Sequence, residues 1–325
     1  MIDYLFLFLI NVIIFFFLDS VAKNLNCYDT PSKSRRIHKE KVAKIGGFLI
    51  LANIIIFYII SFKSVFLFKD NLSFIIGAIL FFLLGYIDDK IDINANLKLL
   101  FQTTFLLFLI FFNNELIISS FYISIFNKKI LLGQFSIFFT ILCYLLFINA
   151  FNMLDGINLS AGTYALILLI FLYSYQNNVI FIVIGISLLF FLIKNYQNKL
   201  FLGNNGSYLL GFILSFYFIH SNKIKIISVE EIFLAMIIPG LDMLRLYVQR
   251  IYNKKNPFKA DLNHLHHLLL RNNSYNKTIF YLFSIFSLPI FINFFINEIE
   301  RFCLILFIVL FYFYFIFQLS KQKKG

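Results

Sequence analysis

The chain is a succession of long apolar runs separated by short polar segments. An α-helix rises about 1.5 Å per residue, so about 17–20 apolar residues cross a hydrocarbon core of about 30 Å. By that measure the sequence predicts an all-α polytopic membrane protein with eleven transmembrane helices. The predicted spans are 2–18, 45–62, 72–87, 97–113, 135–151, 161–175, 178–194, 207–221, 231–250, 278–297 and 301–319.

Lys and Arg are distributed unequally between the two sides that these spans define. With the N-terminus placed outside, the inner segments and the C-terminal tail hold 21 of the 28 basic residues. Because basic residues accumulate on the cytoplasmic side of membrane proteins, the sequence predicts an outside N-terminus and a cytoplasmic C-terminus. It further predicts one transmembrane domain over residues 1–325. The predicted cytoplasmic loops are 19–44, 88–98, 149–162, 195–207 and 250–277.

Composition supports a membrane protein and limits the classes of partner. The 325 residues are 61% hydrophobic and 14% charged, with a mean hydropathy of +0.86. Soluble domains carry about 25% charged residues. The net charge of +12 follows mostly from the basic cytoplasmic loops and favours anionic membrane lipids as partners, so no nucleic-acid partner is expected. The outer segment 114–134 alternates apolar and polar residues around Asn127 and is expected to form a small hairpin.

Asp88 and Asp89 stand side by side at the end of an apolar run. A carboxylate in the middle of a bilayer helix costs about 2.5–3.5 kcal/mol, so such a pair indicates nearby water, a cation or a phosphate. Two carboxylates at the membrane surface can hold Mg²⁺, which prefers oxygen ligands. Lys98 and Gln102 are four residues apart and share a face of the next helix. A solvated turn without chemistry is the alternative.

Two further polar segments carry amide and carboxylate groups. Asn152, Asp155 and Asn158 recur at every third position, so one helix end would align them, a pattern that suits a nucleobase and metal-bound oxygens. Residues 201–207 contain two glycines before the next span, and the start of that helix offers free N–H groups to an anion. For the first segment the alternative is a plain polar loop, and for the second it is an ordinary Asn-Gly turn.

Three of the five histidines lie close together at His264, His266 and His267. With the surrounding lysines they could bind a pyrophosphate. A zinc site is the rival interpretation, but the adjacency of two histidines and the lack of nearby cysteines argue against it. Upstream, Asp242 and Arg245 are three residues apart and could simply pair within their helix.

In their order along the chain, these motifs resemble the polyprenyl-phosphate N-acetylhexosamine-1-phosphate transferases, and in particular the bacterial WecA-like branch. Each motif alone is weak, whereas six in order are highly specific, and the His-x-His-His pattern favours this branch over the phospho-MurNAc-pentapeptide transferases. The matching segments are Asp29-Thr30-Pro31 through Arg35-Arg36-Ile37-His38 to Gly46-Gly47, Asp88-Asp89 with Asp92, Lys98 and Gln102, Asn149 to Gly156, Phe201 to Gly211, Pro239 to Arg250, and Pro257-Phe258 with the histidines.

The resemblance implies a reaction, a cofactor and a location. An oxygen of undecaprenyl phosphate would attack the sugar-linked phosphorus of a UDP-sugar, in this family a UDP-N-acetylhexosamine, and release UMP. Mg²⁺ or Mn²⁺ would serve as the cofactor. The product would start a lipid-linked surface glycan at the inner (plasma) membrane of a bacterium, with the active site facing the cytoplasm. Relatives of this kind imply a homodimer.

The matching motif positions also imply roles for single residues. Asn158 would contact uracil, Phe201 would stack on it, and the histidines would face the diphosphate. The implied metal ligands are Asp88, Asp89, Asn152 and Asn204. The implied catalytic residues are Asp88, Asp89, Asp155, His264, His266 and His267. The implied substrate-binding residues are His38, Lys98, Asn149, Asn158, Phe201, Asp242, Arg245 and Asp261.

Two departures from the family pattern leave alternatives open. Asn204 stands where the family has a metal-binding Asp, so a catalytically weakened homologue is one alternative. Asn158-Leu159 replaces the Asp-Gly of bacterial relatives, although eukaryotic relatives carry Asn there. The other alternative functions are a phospho-MurNAc-pentapeptide transferase and a membrane transporter. Transporters place ionisable residues near the bilayer midplane in repeated halves, whereas here the charges gather at one interface without a repeat.

Overall fold

The chain folds into a bundle of helices with two small antiparallel β-pairs. The computed structural model describes residues 4–29, 41–61, 69–256 and 262–321. The helices in these residues are α1 (Tyr4–Leu25), α2 (Gly46–Ile60), α3 (Lys69–Ile91), α4 (Ala95–Phe112), α5 (Ser136–Leu154), α6 (Ser160–Gln176), α7 (Val179–Tyr196), α8 (Gly203–Lys223), α9 (Val229–Tyr252), α10 (Leu265–Asn272), α11 (Tyr275–Asn293) and α12 (Glu298–Lys321). The strands are β1 (Tyr28–Asp29) with β2 (Val42–Ala43) and β3 (Ser120–Ile123) with β4 (Lys128–Leu131).

Each of the eleven predicted spans coincides with a helix, and α10 is an additional short one. This confirms the all-α class. In the described residues, seven helices are long and apolar enough to cross a membrane, and two further apolar helices, α2 and α6, are shorter. The number of spans and their direction across the membrane stay predictions. Large apolar side chains such as Phe16, Phe111 and Leu310 are more than 70% exposed, as expected of surfaces that face acyl chains.

The polar segments collect at two opposite ends of the bundle. At one end, which the sequence predicts to be the outer one, the hairpin β3–β4 turns at Asn127, whose φ is +48°, and confirms the predicted hairpin. The backbone N–H of Ser124 donates to Glu230 at the start of α9 at 2.8 Å. All the polar segments predicted to be cytoplasmic lie at the other end wherever the structure describes them.

Helix α8 forms the centre of the bundle, since most of its residues are buried. Its long contact with α3 depends on small residues. Gly77 of α3 lies against the ring of Phe212, which in turn stacks on Phe81 at a centroid distance of 4.9 Å. One turn before the aspartate pair, Gly85 lies against the backbone of Asn204. The close approach brings the end of α3 to the beginning of α8.

The segment 42–46 ties the start of α2 to the loop before α8. Ala43 forms a parallel bridge with Leu200, and the N–H of Phe201 donates to the carbonyl of Ala43 at 2.8 Å. The N–H of Gly46 donates to the carbonyl of Phe201 at 3.1 Å. These bonds hold Lys44 and the first turn of α8 beside each other.

Replacing Gly85 by Ala is expected to lower the free energy of unfolding by about 1–3 kcal/mol, because a Cβ would lie 2.2 Å from the carbonyl oxygen of Asn204. Gly240→Ala is the matched control, since no atom lies within 4 Å of its Cβ position and Ala favours a helix by up to about 1 kcal/mol. The free energy of unfolding of both variants is measured by denaturation in mixed micelles. Equal stability of the two would contradict the close contact between α3 and α8.

Candidate active site

A cavity of about 890 Å³ opens at the end of the bundle where the predicted cytoplasmic segments meet. Six of the residues expected from the sequence line it: Asp89, Asp155, Asn158, Phe201, Asn204 and His267. They come from the end of α3, the loop after α5, the loop before α8, the first turn of α8, and α10. The cavity therefore gathers polar groups from segments that are far apart in sequence, such as Asp89 and His267, which are separated by 178 positions.

Asp89 is held by the N-terminus of α8. Its Oδ1 accepts from the backbone N–H of Asn204 at 3.1 Å, and its Oδ2 accepts from the backbone N–H of Asn205 at 3.0 Å. The side-chain amide of Asn205 donates to the same Oδ2 at 2.7 Å. The free N–H groups and the dipole of a helix N-terminus favour a negative charge. The anion site expected at this helix start is therefore occupied by a side chain of the protein itself.

Asp155 and Asn204 line the same cavity as Asp89. Burial raises the pKa of Asp155 to about 7, and the negative charge of Asp89 adds to the shift, while the positive charge of Lys44 opposes it. Lys44 forms an ion pair with Asp29 at 2.8 Å and also lines the cavity. The site thus holds carboxylates close enough to disfavour each other's charge, which a bound cation would relieve.

Asp89, Asp155 and Asn204 fit a magnesium ion by the chemistry of their oxygens. Mg²⁺ is usually bound by one or two carboxylates and keeps several of its waters. In the described parts of the chain no group of three or more His, Cys, Asp and Glu side chains could hold a metal ion. An Asp at position 204 would add a fourth carboxylate to the lining, beside Asp29, Asp89 and Asp155.

Asp88 does not line the cavity, and its expected role as a catalytic residue and metal ligand stays a prediction. Its carboxylate is buried, and its Oδ2 pairs with Lys98 at 2.8 Å. Its Oδ1 accepts from the backbone N–H of Ile93 at 2.9 Å. Lys98, expected to bind substrate, is therefore engaged in fixing the turn between α3 and α4.

Asn149 and Asn152 also lie off the cavity lining. The Nδ2 of Asn149 donates to Gln102 at 2.9 Å, and Asn152 accepts a hydrogen bond from Ser207 of α8. Helix α5 ends at Leu154, so the expectation that one helix end aligns Asn152, Asp155 and Asn158 was wrong. Asp155 and Asn158 reach the cavity from the loop instead.

Asp242 and Arg245 pair with each other at 2.8 Å, as the sequence allowed, and do not line the cavity. Asp242 is buried and accepts hydrogen bonds from the hydroxyl of Tyr312 at 2.7 Å and the N–H of Leu265 at 3.1 Å. Its other oxygen lies 2.8 Å from Nδ1 of His264. This network fixes the start of α10, and the substrate-binding role expected of Asp242 and Arg245 stays a prediction.

The three histidines differ in their position relative to the cavity. His264 and His266 are buried, with parallel rings 5.6 Å apart, and only His267 lines the cavity. Burial holds the pKa of His266 well below its usual value, and the charges of His267 and His264 lower it further. Its Nε2 lies against Gly156, where a Cβ would be 2.0 Å away. The expected substrate-binding residues His38 and Asp261 lie outside the described residues.

Comparison with known proteins agrees with the motifs. The pattern of the family described as Glycosyl transferase family 4 matches residues 71–222. An undecaprenyl-phosphate alpha-N-acetylglucosaminyl 1-phosphate transferase of Thermotoga maritima is 33% identical over 287 residues, which cover 86% of each chain.

The chain belongs to glycosyl transferase family 4. A protein of the same name from Escherichia coli O157:H7 is 27% identical over 302 residues, which cover 87% of this chain and 80% of the relative. A probable undecaprenyl-phosphate N-acetylglucosaminyl 1-phosphate transferase of Bacillus subtilis is 24% identical over 260 residues, or 77% of this chain and 71% of the relative. The family predicted from the sequence is confirmed.

In this member of glycosyl transferase family 4, four residues that the motifs did not single out take part in the site. Lys44 and Tyr275 line the cavity. Asn205 is fully buried and joins three segments, because its Oδ1 accepts from the N–H of Gly47 while its Nδ2 donates to Asp89 and to the carbonyl of Lys44. Asn195 is also buried and bonds to the loop after α5. Lys44 lies two residues before Gly46 and Asn205 lies between Asn204 and Gly206, whereas no such signal marks Asn195 and Tyr275.

Asp155→Asn is expected to stabilise the metal-free protein above neutral pH. The folded protein holds the Asp155 proton up to a pKa of about 7, against about 3.9 when unfolded, so ionisation destabilises the fold progressively from about pH 4 to pH 7. The variant should therefore gain up to roughly 2–4 kcal/mol over wild type at pH 8 and almost nothing at pH 4.

Thermal unfolding in detergent with EDTA at several pH values measures this difference. Asp92→Asn is the matched control, because it removes an exposed carboxylate from the same end of the bundle. Adding Mg²⁺ should stabilise wild type more than Asp155→Asn. A difference between wild type and Asp155→Asn that does not depend on pH would contradict the shifted ionisation of Asp155.

Proposed function

We propose that this protein transfers N-acetylhexosamine-1-phosphate from a UDP-sugar to undecaprenyl phosphate, releases UMP and so starts a lipid-linked surface glycan. The observation that carries the proposal is one cavity that unites Asp89, Asp155 and Asn204 with Phe201 and Asn158. The names of its relatives in Thermotoga maritima and Escherichia coli support undecaprenyl phosphate as the acceptor and N-acetylglucosamine as the sugar. Membership of this family argues against the transporter alternative.

The cavity offers separate surfaces for the parts of the donor. Phe201 supplies an aromatic face, on which a uracil ring can stack, and Asn158 beside it supplies amide hydrogen bonds. Lys44 and His267 line the same cavity, and a diphosphate bound there would need cationic and hydrogen-bonding partners of this kind. The acceptor phosphate would enter beside these groups from the membrane.

In the reaction, an acceptor phosphate oxygen forms a bond to the sugar-linked phosphorus of the donor. The bond from that phosphorus to the bridging oxygen breaks, and UMP leaves with the electron pair. A phosphate monoester has a second pKa near 6 and is largely ionised at neutral pH, so positioning contributes more than proton removal. The rigidly held Asp89 therefore acts chiefly by fixing the geometry of the site.

Magnesium would be held by Asp155 and Asn204, together with the lone pairs of Asp89 that the α8 N-terminus leaves free. When bound, it would neutralise the charge that develops on the diphosphate oxygens. The amide at position 204 contributes a neutral oxygen to this set, which lowers the affinity for the metal compared with a carboxylate.

The cavity is proposed to face the cytoplasm of a bacterial cell, with the N-terminus outside. The 21 of 28 basic residues that fall in the predicted cytoplasmic segments and the C-terminal tail support this orientation. A fluorescent protein fused after the C-terminus should fluoresce, and alkaline phosphatase fused after Asn127 should be active. The reverse pair of results would invert the orientation.

Purified protein in nanodiscs should release UMP from UDP-N-acetylglucosamine only when undecaprenyl phosphate and Mg²⁺ are both present. Asp89→Asn should lower the rate at least 100-fold, because an amide cannot accept all three hydrogen bonds from α8 without an unfavourable N–H contact. No release from a panel of UDP-N-acetylhexosamines with either Mg²⁺ or Mn²⁺ would contradict the proposed activity.

Asn204→Asp should lower the Mg²⁺ concentration for half-maximal rate by about tenfold, since it restores a charged ligand. Asn127→Asp, which adds the same charge in the hairpin at the opposite end, is the matched control and should change nothing. Activity that appears only in Asn204→Asp would identify the wild type as a catalytically weakened homologue.

A further inference from the structure

Asn195 is a buried amide at the end of α7 whose direction is fixed by two backbone groups. Its Oδ1 accepts from the N–H of Leu159 at 2.7 Å, and its Nδ2 donates to the carbonyl of Leu200 at 2.7 Å. An N–H can only donate and a carbonyl can only accept, so turning the amide over would lose both bonds. Only 4% of Asn195 is exposed, which makes such a loss costly.

The fixed direction of the Asn195 amide in turn fixes the direction of the Asn158 amide. The Nδ2 of Asn195 also donates to Oδ1 of Asn158 at 3.3 Å, and the Nδ2 of Asn158 donates to Oδ1 of Asn198 at 2.6 Å. If the amide of Asn158 turned over, two NH₂ groups would face each other at Asn195. Asn198 is exposed and could turn with it, so the buried Asn195 decides which way the Asn158 amide points.

A fixed amide distinguishes nucleobases that a mobile one would accept equally. Uracil presents an N–H donor at N3 beside a carbonyl acceptor at C4. Cytosine presents an acceptor at N3 beside an amino donor, which is the reverse pattern. An amide that turns freely matches either base, whereas one held in a single direction leaves polar groups unpaired against the wrong base.

We infer that Asn195 is a positioning residue which, by fixing the amide of Asn158, makes the site select uracil nucleotides over cytosine nucleotides. The inference rests on the proposed function, in which Asn158 meets the base of the donor. Asn195 also holds Leu159, whose φ is +67°, so it has a structural part as well. A structural role alone would change the affinity for both nucleotides together, whereas a positioning role changes their ratio.

The test is the affinity of the full-length protein in Mg²⁺-containing nanodiscs for UMP and for CMP, measured by isothermal titration calorimetry. Wild type is expected to bind UMP at least tenfold more tightly. In Asn195→Asp the carboxylate still accepts from Leu159 but has no hydrogen to donate to Asn158. The amide of Asn158 then turns to donate to it, and the UMP-to-CMP preference should fall at least tenfold.

Two variants of the exposed Asn198 test the same chain of bonds if Asn195→Asp does not fold. Asn198→Asp keeps an acceptor for Asn158 and should retain the wild-type preference. Asn198→Gly suits the backbone φ of +58° and removes that acceptor, which leaves the 3.3 Å bond from Asn195 to hold the Asn158 amide. The amide is then held less firmly, so the preference should fall several-fold, though less than in Asn195→Asp.

An unchanged preference in both Asn195→Asp and Asn198→Gly would overturn the inference and leave the proposed function intact. Equal losses of UMP and CMP affinity would also overturn it, because they are the result of a structural role alone. Wild-type protein that binds neither nucleotide, or binds both equally, would overturn the inference together with the proposed UDP-sugar donor.

Discussion

The site depends on one electrostatic contact, in which the carboxylate of Asp89 accepts hydrogen bonds from backbone N–H groups at the N-terminus of α8. A carboxylate at the end of a membrane helix needs several donors, and a helix start has N–H groups without partners. The carboxylate and the helix N-terminus therefore each supply the hydrogen-bonding partners that the other lacks. In favourable, partly buried cases a charge at a helix end contributes up to about 2 kcal/mol to stability. Gly85 allows the close approach, and Gly203, with φ of +71°, begins the helix directly beside the carboxylate.

Around this contact the structure separates residues that line the cavity from residues that hold them. Asn205 joins the end of α3, the start of α2 and the first turn of α8. Asp88 with Lys98 fixes the turn that follows α3, and Asp242 with His264 fixes the helix that carries His267. These supporting bonds hold the elements that carry the lining groups, which matches the need of phosphoryl transfer for accurate positioning.

The architecture and the end of the bundle that holds the site could be predicted from the sequence. The lengths of the apolar runs predicted every long helix, because each helix needs about the same length to cross a bilayer. The order of motifs identified the family. Periodicity failed where a helix ended, as at Leu154, since hydrophobic pattern says little about where the last turn stops.

Whether a motif residue faces the cavity or supports it could not be predicted. Asp88 and Asp89 are adjacent, so they point to different sides of the helix end, and only the tertiary contact with α8 decides which one meets the cavity. The same limit applies to His266 and His267. Asn195 and Asn205 were not singled out, because their partners are mainly backbone groups distant in sequence, which no local pattern records.

The most direct test of this account is an anomalous diffraction map of crystals grown with Mn²⁺ and UMP. The account predicts a manganese peak bounded by the side-chain oxygens of Asp89, Asp155 and Asn204, with the base stacked on Phe201. A peak beside Asp88, or between Asp242 and His264, with none in the cavity would contradict it.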